Sequence, residues 1–265
     1  DMLGPHTWQP YAYNGIGQHQ WALENVIGNH GPFTKLYPLR QFGDGRIHFL
    51  EGGGTIPWLC LINTGLSDSD KPWWGGWSGR YSMEKVDTVW SKHTSVKVDE
   101  EHYEQFSVYT GETETWVDPS DGQVYSGIFT PVWRWRQDFF NNLKARADWC
   151  VMSFEQANHH PVAAINKDKT EKIHQFEVKT GQKLSFDTTG SSDPDGDKLT
   201  FEWFIYSGAG TYDGIIQLND SQSGSCQITI PEDAGNSEIH LILRVTDNHS
   251  EVPLADYRRI VLNVK

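Results

Sequence analysis

The chain has 265 residues, enough for one or two domains with a sizeable core, and it is rich in aromatics: 12 Trp, 10 Tyr and 12 Phe. Its formal net charge of −13, with no basic stripe, excludes a nucleic-acid backbone as partner. The three cysteines, Cys60, Cys150 and Cys226, make neither a disulfide framework nor a CxxC metal set, and no apolar run is long enough for a membrane-crossing helix.

The chain opens on Asp1, with Met2 not initial, directly into an aromatic-rich stretch that reads as the later part of a longer protein. A first helix is expected over 18–27. The stretch EGGGTIPW (51–58) runs three glycines into a second helix, starting at Ile56, with Thr55 as its cap, Pro57 in the first turn and Gly65 past its end. Trp58, Leu59, Leu61 and Ile62 make this helix apolar nearly all round, so it is expected to be buried, and Cys60 reads as a buried thiol. Free N–H groups at its start favour an oxygen-rich ligand, which makes Glu51, Gly53, Gly54 and Thr55 candidate binding residues. The same residues also fit a tight connection into a buried helix.

The next stretch, KPWWGGWSGRY (71–81), interleaves three tryptophans with three glycines. It fits either a plug that packs a long loop or a platform that meets a sugar ring. In the second case Trp74, Trp77, Arg80 and Tyr81 are the candidate contacts, since aromatic faces bury the apolar face of a sugar and polar neighbours take its hydroxyls. A hairpin is expected over 115–125, around Pro119 and Gly122. Thr130 and Pro131 open a helix running to about Trp149, with Val132, Phe139, Leu143 and Ala147 on one face.

Composition changes near residue 160, after eleven of the twelve tryptophans, and ANHHPVAAINKDK (157–169) is the natural boundary. Asn158 and His159 there are candidate cleft residues, histidine being a common acid–base and ligand group. Strands are expected at 173–179, 183–187, 199–206, 215–218, 226–230, 239–245 and 259–264, with Trp203 as a core tryptophan. About seven strands in roughly 100 residues have the size and spacing of an immunoglobulin-like sandwich. In SSDPDGD (191–197), Asp193, Asp195 and Asp197 alternate as in calcium loops, although Gly196 and the missing twelfth-position Glu depart from an EF-hand. A simple Asp/Pro/Gly turn fits equally.

Taken together, GNHGPFTKLYP (28–38), EGGGTIPWLCLINTGL (51–66), PWWGGWSGRY (72–81), WRWRQDFFNNLKARADW (133–149) and ANHHPVAAIN (157–166) resemble the cellulose-binding family with a nucleoside-hydrolase-like domain. GSSDPDGDKLTFEWFIYSGAGTYDG and IHLILRVTDN resemble that family's Ig-like C-terminal domain. The resemblance implies an α/β fold for 1–160, of which this chain holds the last part, and an all-β immunoglobulin-like sandwich for 161–265. It also implies a secreted protein, extracellular or periplasmic, from a microbe that uses polysaccharides. Nucleoside hydrolases cleave N-glycosidic bonds with a calcium held by an aspartate-rich first strand; no such run exists here, and after Glu51 and Gly52, where related sequences often carry Asp, the loop runs on through Gly53 and Gly54 with no carboxylate.

The leading expectation is a protein that binds a cellulose-like polysaccharide or oligosaccharide, not catalytic as this chain alone. Two rivals remain open. One is a glycosidic or N-glycosidic hydrolase completed by the missing N-terminal part of the same domain. The other is a structural or adhesive surface protein, consistent with the sequons at Asn219 and Asn248.

Overall fold

The computed structural model of the chain describes residues 2–3, 19–36, 40–41, 47–48, 55–85 and 107–265. Glu51, Gly53 and Gly54 lie outside the described residues. The fold is mostly β-strands in several small sheets, with few helices. Two compact units interleave along the chain: Asp1–Tyr13, Glu51–Ile62 and Ser67–Arg136 form one, and Asn14–Leu50, Asn63–Leu66 and Gln137–Lys265 the other.

In the first unit, helix Thr55–Leu61 precedes the 3-10 turn Pro72–Trp74 and two antiparallel strand pairs, Tyr81–Lys85 with Ser107–Gly111 and Glu114–Val117 with Val124–Gly127. The helix is not buried all round as expected. Leu59 and Cys60 are buried, but Trp58 is 52% and Leu61 69% exposed. The helix begins at Thr55, one residue before the expected start at Ile56. Two turns of helix present one face to a core and leave the opposite face to solvent. The hairpin forms as its turn chemistry requires. Asp118 Oδ1 accepts the Ser120 N–H at 2.8 Å, and Gly122 takes φ +71°, which a side chain would resist.

The helix expected over 130–149 is two helices, Thr130–Trp133 and Arg136–Asp148, and Phe129, not Thr130, stands at the first N-cap. The break falls where the chain leaves the first unit. Val132, Phe139 and Ala147 are buried as their spacing predicts.

In the second unit, helix His19–Ala22 widens into a π-turn, Leu23–Ile27, closed by the Gly28 N–H on the Leu23 carbonyl at 2.7 Å. Six of the seven expected C-terminal strands form, His174–Val178, Lys183–Asp187, Leu199–Ile205, Ser225–Thr229, Glu238–Asp247 and Ala255–Val264, while the one expected over 215–218 is replaced by the two-residue strand Leu218–Asn219. Four pair in the order Leu199–Ile205, Glu238–Asp247, Ala255–Val264, His174–Val178; the other three form a second sheet. One core takes side chains from both sheets. Trp203, Ile239, Leu241, Leu243, Val245, Ile260 and Leu262 join Phe186, Cys226 and Ile228 in it.

Glu238–Asp247 is buried on both faces, because His240 and Ile242 are as inaccessible as the core-facing set. Helix Arg136–Asp148 is tied to this strand by Asp138, which accepts Arg244 Nε at 2.8 Å and Nη2 at 2.5 Å as well as the Tyr257 hydroxyl.

Behind the same helix, Asn142 Nδ2 donates to His160 Nε2 at 2.7 Å, and Arg146 Nε donates to Asn142 Oδ1 at 2.8 Å, which fixes the amide. His160 therefore accepts at Nε2 and donates from Nδ1 to the Ala255 carbonyl at 3.3 Å, the neutral tautomer. Burial lowers its proton affinity, against the Ala255 hydrogen bond, which raises it. Below its unfolded value of about 6.5 the unfolded chain takes a proton that the folded chain refuses, so stability falls with acidification by up to about 1.4 kcal/mol per pH unit. His160→Gln is expected to flatten the stability curve between about pH 7 and pH 5 relative to wild type. Parallel curves from urea melts would contradict this assignment.

Candidate functional site

The stretch 71–81 folds as a plug. After Pro72–Trp74, Gly75 takes φ +73°, and Gly76 and Gly79 exchange two backbone hydrogen bonds of 3.1 and 2.9 Å. A Cβ on Gly76 would lie 2.0 Å from Ser67 Oγ, and one on Gly79 2.9 Å from Val132 Cγ2, so the glycines allow close packing. Trp74 and Trp77 are each 2% exposed and Tyr81 1%. Tyr81 donates its hydroxyl to the Ser78 carbonyl at 2.6 Å, and Lys71 Nζ lies 3.7 Å from the Trp74 ring centroid. Rings this deeply buried offer no face to a sugar; of the three tryptophans here, only Trp73, 41% exposed, does.

Arg80 is committed as well. Its Nε donates to Glu114 Oε1 at 2.8 Å and its Nη2 to the Thr113 carbonyl at 3.3 Å, while Arg134 Nη1 takes Glu114 Oε2 at 3.1 Å. One buried carboxylate thus offsets two guanidinium groups.

Asn158 and His159 lie in the second unit and divide their roles. Asn158 is buried, its Nδ2 donating to Asp247 Oδ2 and to the Val252 carbonyl, both at 3.0 Å. It anchors the chain. His159 lines a cavity of about 340 Å³ together with Trp149, Met152, Ser153, Phe154 and Ala157. The chain leaves helix Arg136–Asp148 at Trp149 and closes the cavity through the 3-10 turn Phe154–Gln156. Trp149 is held by its Nε1 donating to the Asn158 carbonyl at 2.7 Å and by the Arg146 guanidinium 5.6 Å from its ring. Its ring stacks with that of His159 at 6.2 Å and 19°, and Phe154 meets His159 at 4.1 Å and 40°. Phe154 is 73% and Met152 43% exposed.

Asp195 fixes the histidine. Its Oδ2 accepts the His159 backbone N–H at 2.7 Å, and its Oδ1 lies 2.9 Å from Nδ1. Asp193 Oδ1 in turn accepts the N–H groups of Asp195 and Asp197 at 2.8 and 3.1 Å, which winds the turn. Among the described residues no three His, Cys, Asp or Glu side chains are grouped to hold a metal.

Sequence reasoning named His159 but missed Trp149, Met152 and Phe154. The available signal was VMSF (151–154), three large apolar residues in a short segment just beyond a helix end.

The fold and this site define a β-rich protein with an open, aromatic-walled cavity. Two family models match the chain: the nucleoside hydrolase-like domain of cellulose-binding Sde182 over residues 5–81, and the C-terminal domain of cellulose-binding protein Sde0182 over residues 183–264. The chain belongs to this cellulose-binding family, with sequence from both of its domains. A solved structure of a nucleoside hydrolase-related protein from Saccharophagus degradans, associated with carbohydrate metabolism, is 30% identical, with a TM-score of 0.75 over all of this chain. The chain spans 56% of that structure's length. Titin domain M7 (14% identity, 41% of this chain and 96% of that one, TM-score 0.25) and an endo-fucoidan hydrolase of glycoside hydrolase family 107 (20%, 40% and 13%, TM-score 0.23) are too distant to carry an argument. No curated protein matches the chain.

Proposed function

We propose that this chain is a secreted carbohydrate-binding protein for a neutral, cellulose-like polysaccharide or oligosaccharide, and that it works by binding rather than by hydrolysis. The observation that carries this reading is the cavity walled by Trp149, Phe154 and His159, with aromatic rings open to solvent beside polar groups. Aromatic faces supply apolar burial to the C–H face of a sugar, while a few placed polar groups orient it. The family's cellulose-binding description and the carbohydrate association of the Saccharophagus degradans relative support the same ligand class. We read the two C-terminal sheets as an immunoglobulin-like sandwich that serves as a rigid frame. Its support is seven strands in sheets of four and three around one core.

Isothermal titration of the chain with cellohexaose tests the binding role. Wild type is expected to bind, and Phe154→Ala to bind at least about tenfold more weakly, the cost of truncating an aromatic anchor. No heat from wild type at millimolar ligand would sink the reading. The match of residues 5–81 to a nucleoside hydrolase-like domain favours a second reading, a hydrolase completed by further sequence of the parent protein. Release of reducing sugar or free nucleobase by the parent would establish it.

A further inference from the structure

Resting on the carbohydrate reading, we propose that the Trp149–Phe154–His159 cavity takes a soluble oligosaccharide or a free chain end, one or two neutral pyranose units, and not the flat face of crystalline cellulose. His159 Nε2 is the acceptor for a ligand hydroxyl.

The shape of the site argues first. A volume of about 340 Å³ stands at the small end of ligand pockets, which run from about 300 to 1,000 Å³, so it admits a short segment and not a sheet of parallel chains. A crystalline face requires rings spread side by side in one plane. Here the rings cluster against one another instead. Trp149 stacks with His159 at 19°, and Phe154 leans on His159 at 40° with centroids 4.1 Å apart. These rings wall a hollow rather than a plane, and Phe154, 73% exposed, carries the open face.

The polar group argues next. A carboxylate only accepts, so Nδ1 of His159 donates to Asp195. In the neutral imidazole this contact commits the hydrogen to Nδ1 and leaves Nε2 its lone pair. Among the described residues none hydrogen-bonds to His159 Nε2, and the side chain is 20% exposed at the cavity wall. The ring is held in advance, by Asp195 through both its backbone N–H and Nδ1 and by the two aromatic neighbours, so little ordering remains to be done on binding.

Charge narrows the ligand class. Asp195 is at the site and Glu155 lies on the turn that closes it, in a chain of net charge −13. The Glu155 carboxyl is held below its ordinary range by hydrogen bonds from its own backbone and from Ser153, so it is ionised at neutral pH. Uronic-acid and sulfated chains are repelled, and a neutral glycan is not.

The test compares wild type with His159→Phe, which keeps an aromatic ring in the stack and removes Nε2. Titration with cellotriose and with oligogalacturonate is paired with co-sedimentation on microcrystalline cellulose, and melting temperatures verify folding. The expected result is binding of cellotriose by wild type, at least tenfold weaker in folded His159→Phe, with no binding of oligogalacturonate and no sedimentation that survives added cellotriose. Sedimentation on crystalline cellulose without heat from cellotriose would overturn this inference and leave the carbohydrate reading standing. Oligogalacturonate binding, or equal cellotriose affinity in the two proteins, would overturn the neutral class or the role of His159 respectively. Failure of wild type to bind either form of cellulose would overturn both the inference and the reading beneath it.

Discussion

Arg259→Leu is expected to lower the unfolding free energy by about 3–5 kcal/mol, the cost of breaking a buried charged network from one side. Arg259 is fully buried. Its Nε donates to the Leu66 carbonyl at 2.7 Å and its Nη1 to His240 Nδ1 at 2.8 Å, with the guanidinium 5.7 Å from the Tyr206 ring. His240 passes the interaction on, its Nε2 donating to Glu238 Oε1 at 2.8 Å. Leucine replaces much of the aliphatic stem, so the loss is mainly polar: a carbonyl and an imidazole nitrogen each lose a donor, at about 1–3 kcal/mol apiece. Arg259→Lys is expected to recover only part, since one ammonium does not reproduce the guanidinium fork. Urea melts with an unchanged m-value measure this; a loss under about 1 kcal/mol would mean that water or a neighbour takes over both acceptors.

Gly65→Ala tests the same attachment from the opposite side, with an expected loss of about 2–4 kcal/mol. Gly65 sits at φ +73°, and a Cβ there would lie 2.1 Å from the Tyr257 carbonyl oxygen and 2.9 Å from Arg258 Nη1. The nearer atom is backbone, so no rotamer change relieves the collision. The segment must lift from strand Ala255–Val264, which strains the Tyr257 N–H···O Thr64 hydrogen bond of 3.0 Å and the Arg259 contact to Leu66. Because both substitutions loosen one attachment, the double variant is expected to lose less than the sum of the two. Strict additivity would show that residues 64–66 and Arg259 act independently.

Much of the C-terminal half was legible in the sequence. The alternation through Ile239, Leu241, Leu243 and Val245 identified the core face of a strand, and Trp203 lies where the 199–206 pattern puts it. Burial of His240 and Ile242 on the reverse of that strand was not legible, because what covers that face comes from segments distant in the chain. The helix read over 130–149 failed at residues 134–135 because an apolar face persists across a break as readily as across a continuous turn.

The candidate site divides in the same way. Sequence patterns pointed to the family, the strands, the hairpin around Gly122 and His159 as a cleft residue, because local periodicity and turn chemistry act between near neighbours. They could not rank the tryptophans of 71–81, where only packing decides that Trp74 and Trp77 go inside and Trp73 stays out. Nor could they join Asp195 to His159 across 36 residues, or Arg259 to Leu66 across 193. A side chain's type limits which partners it accepts; which partner reaches it depends on how the strands and turns are folded against each other, and that is a property of the tertiary structure alone.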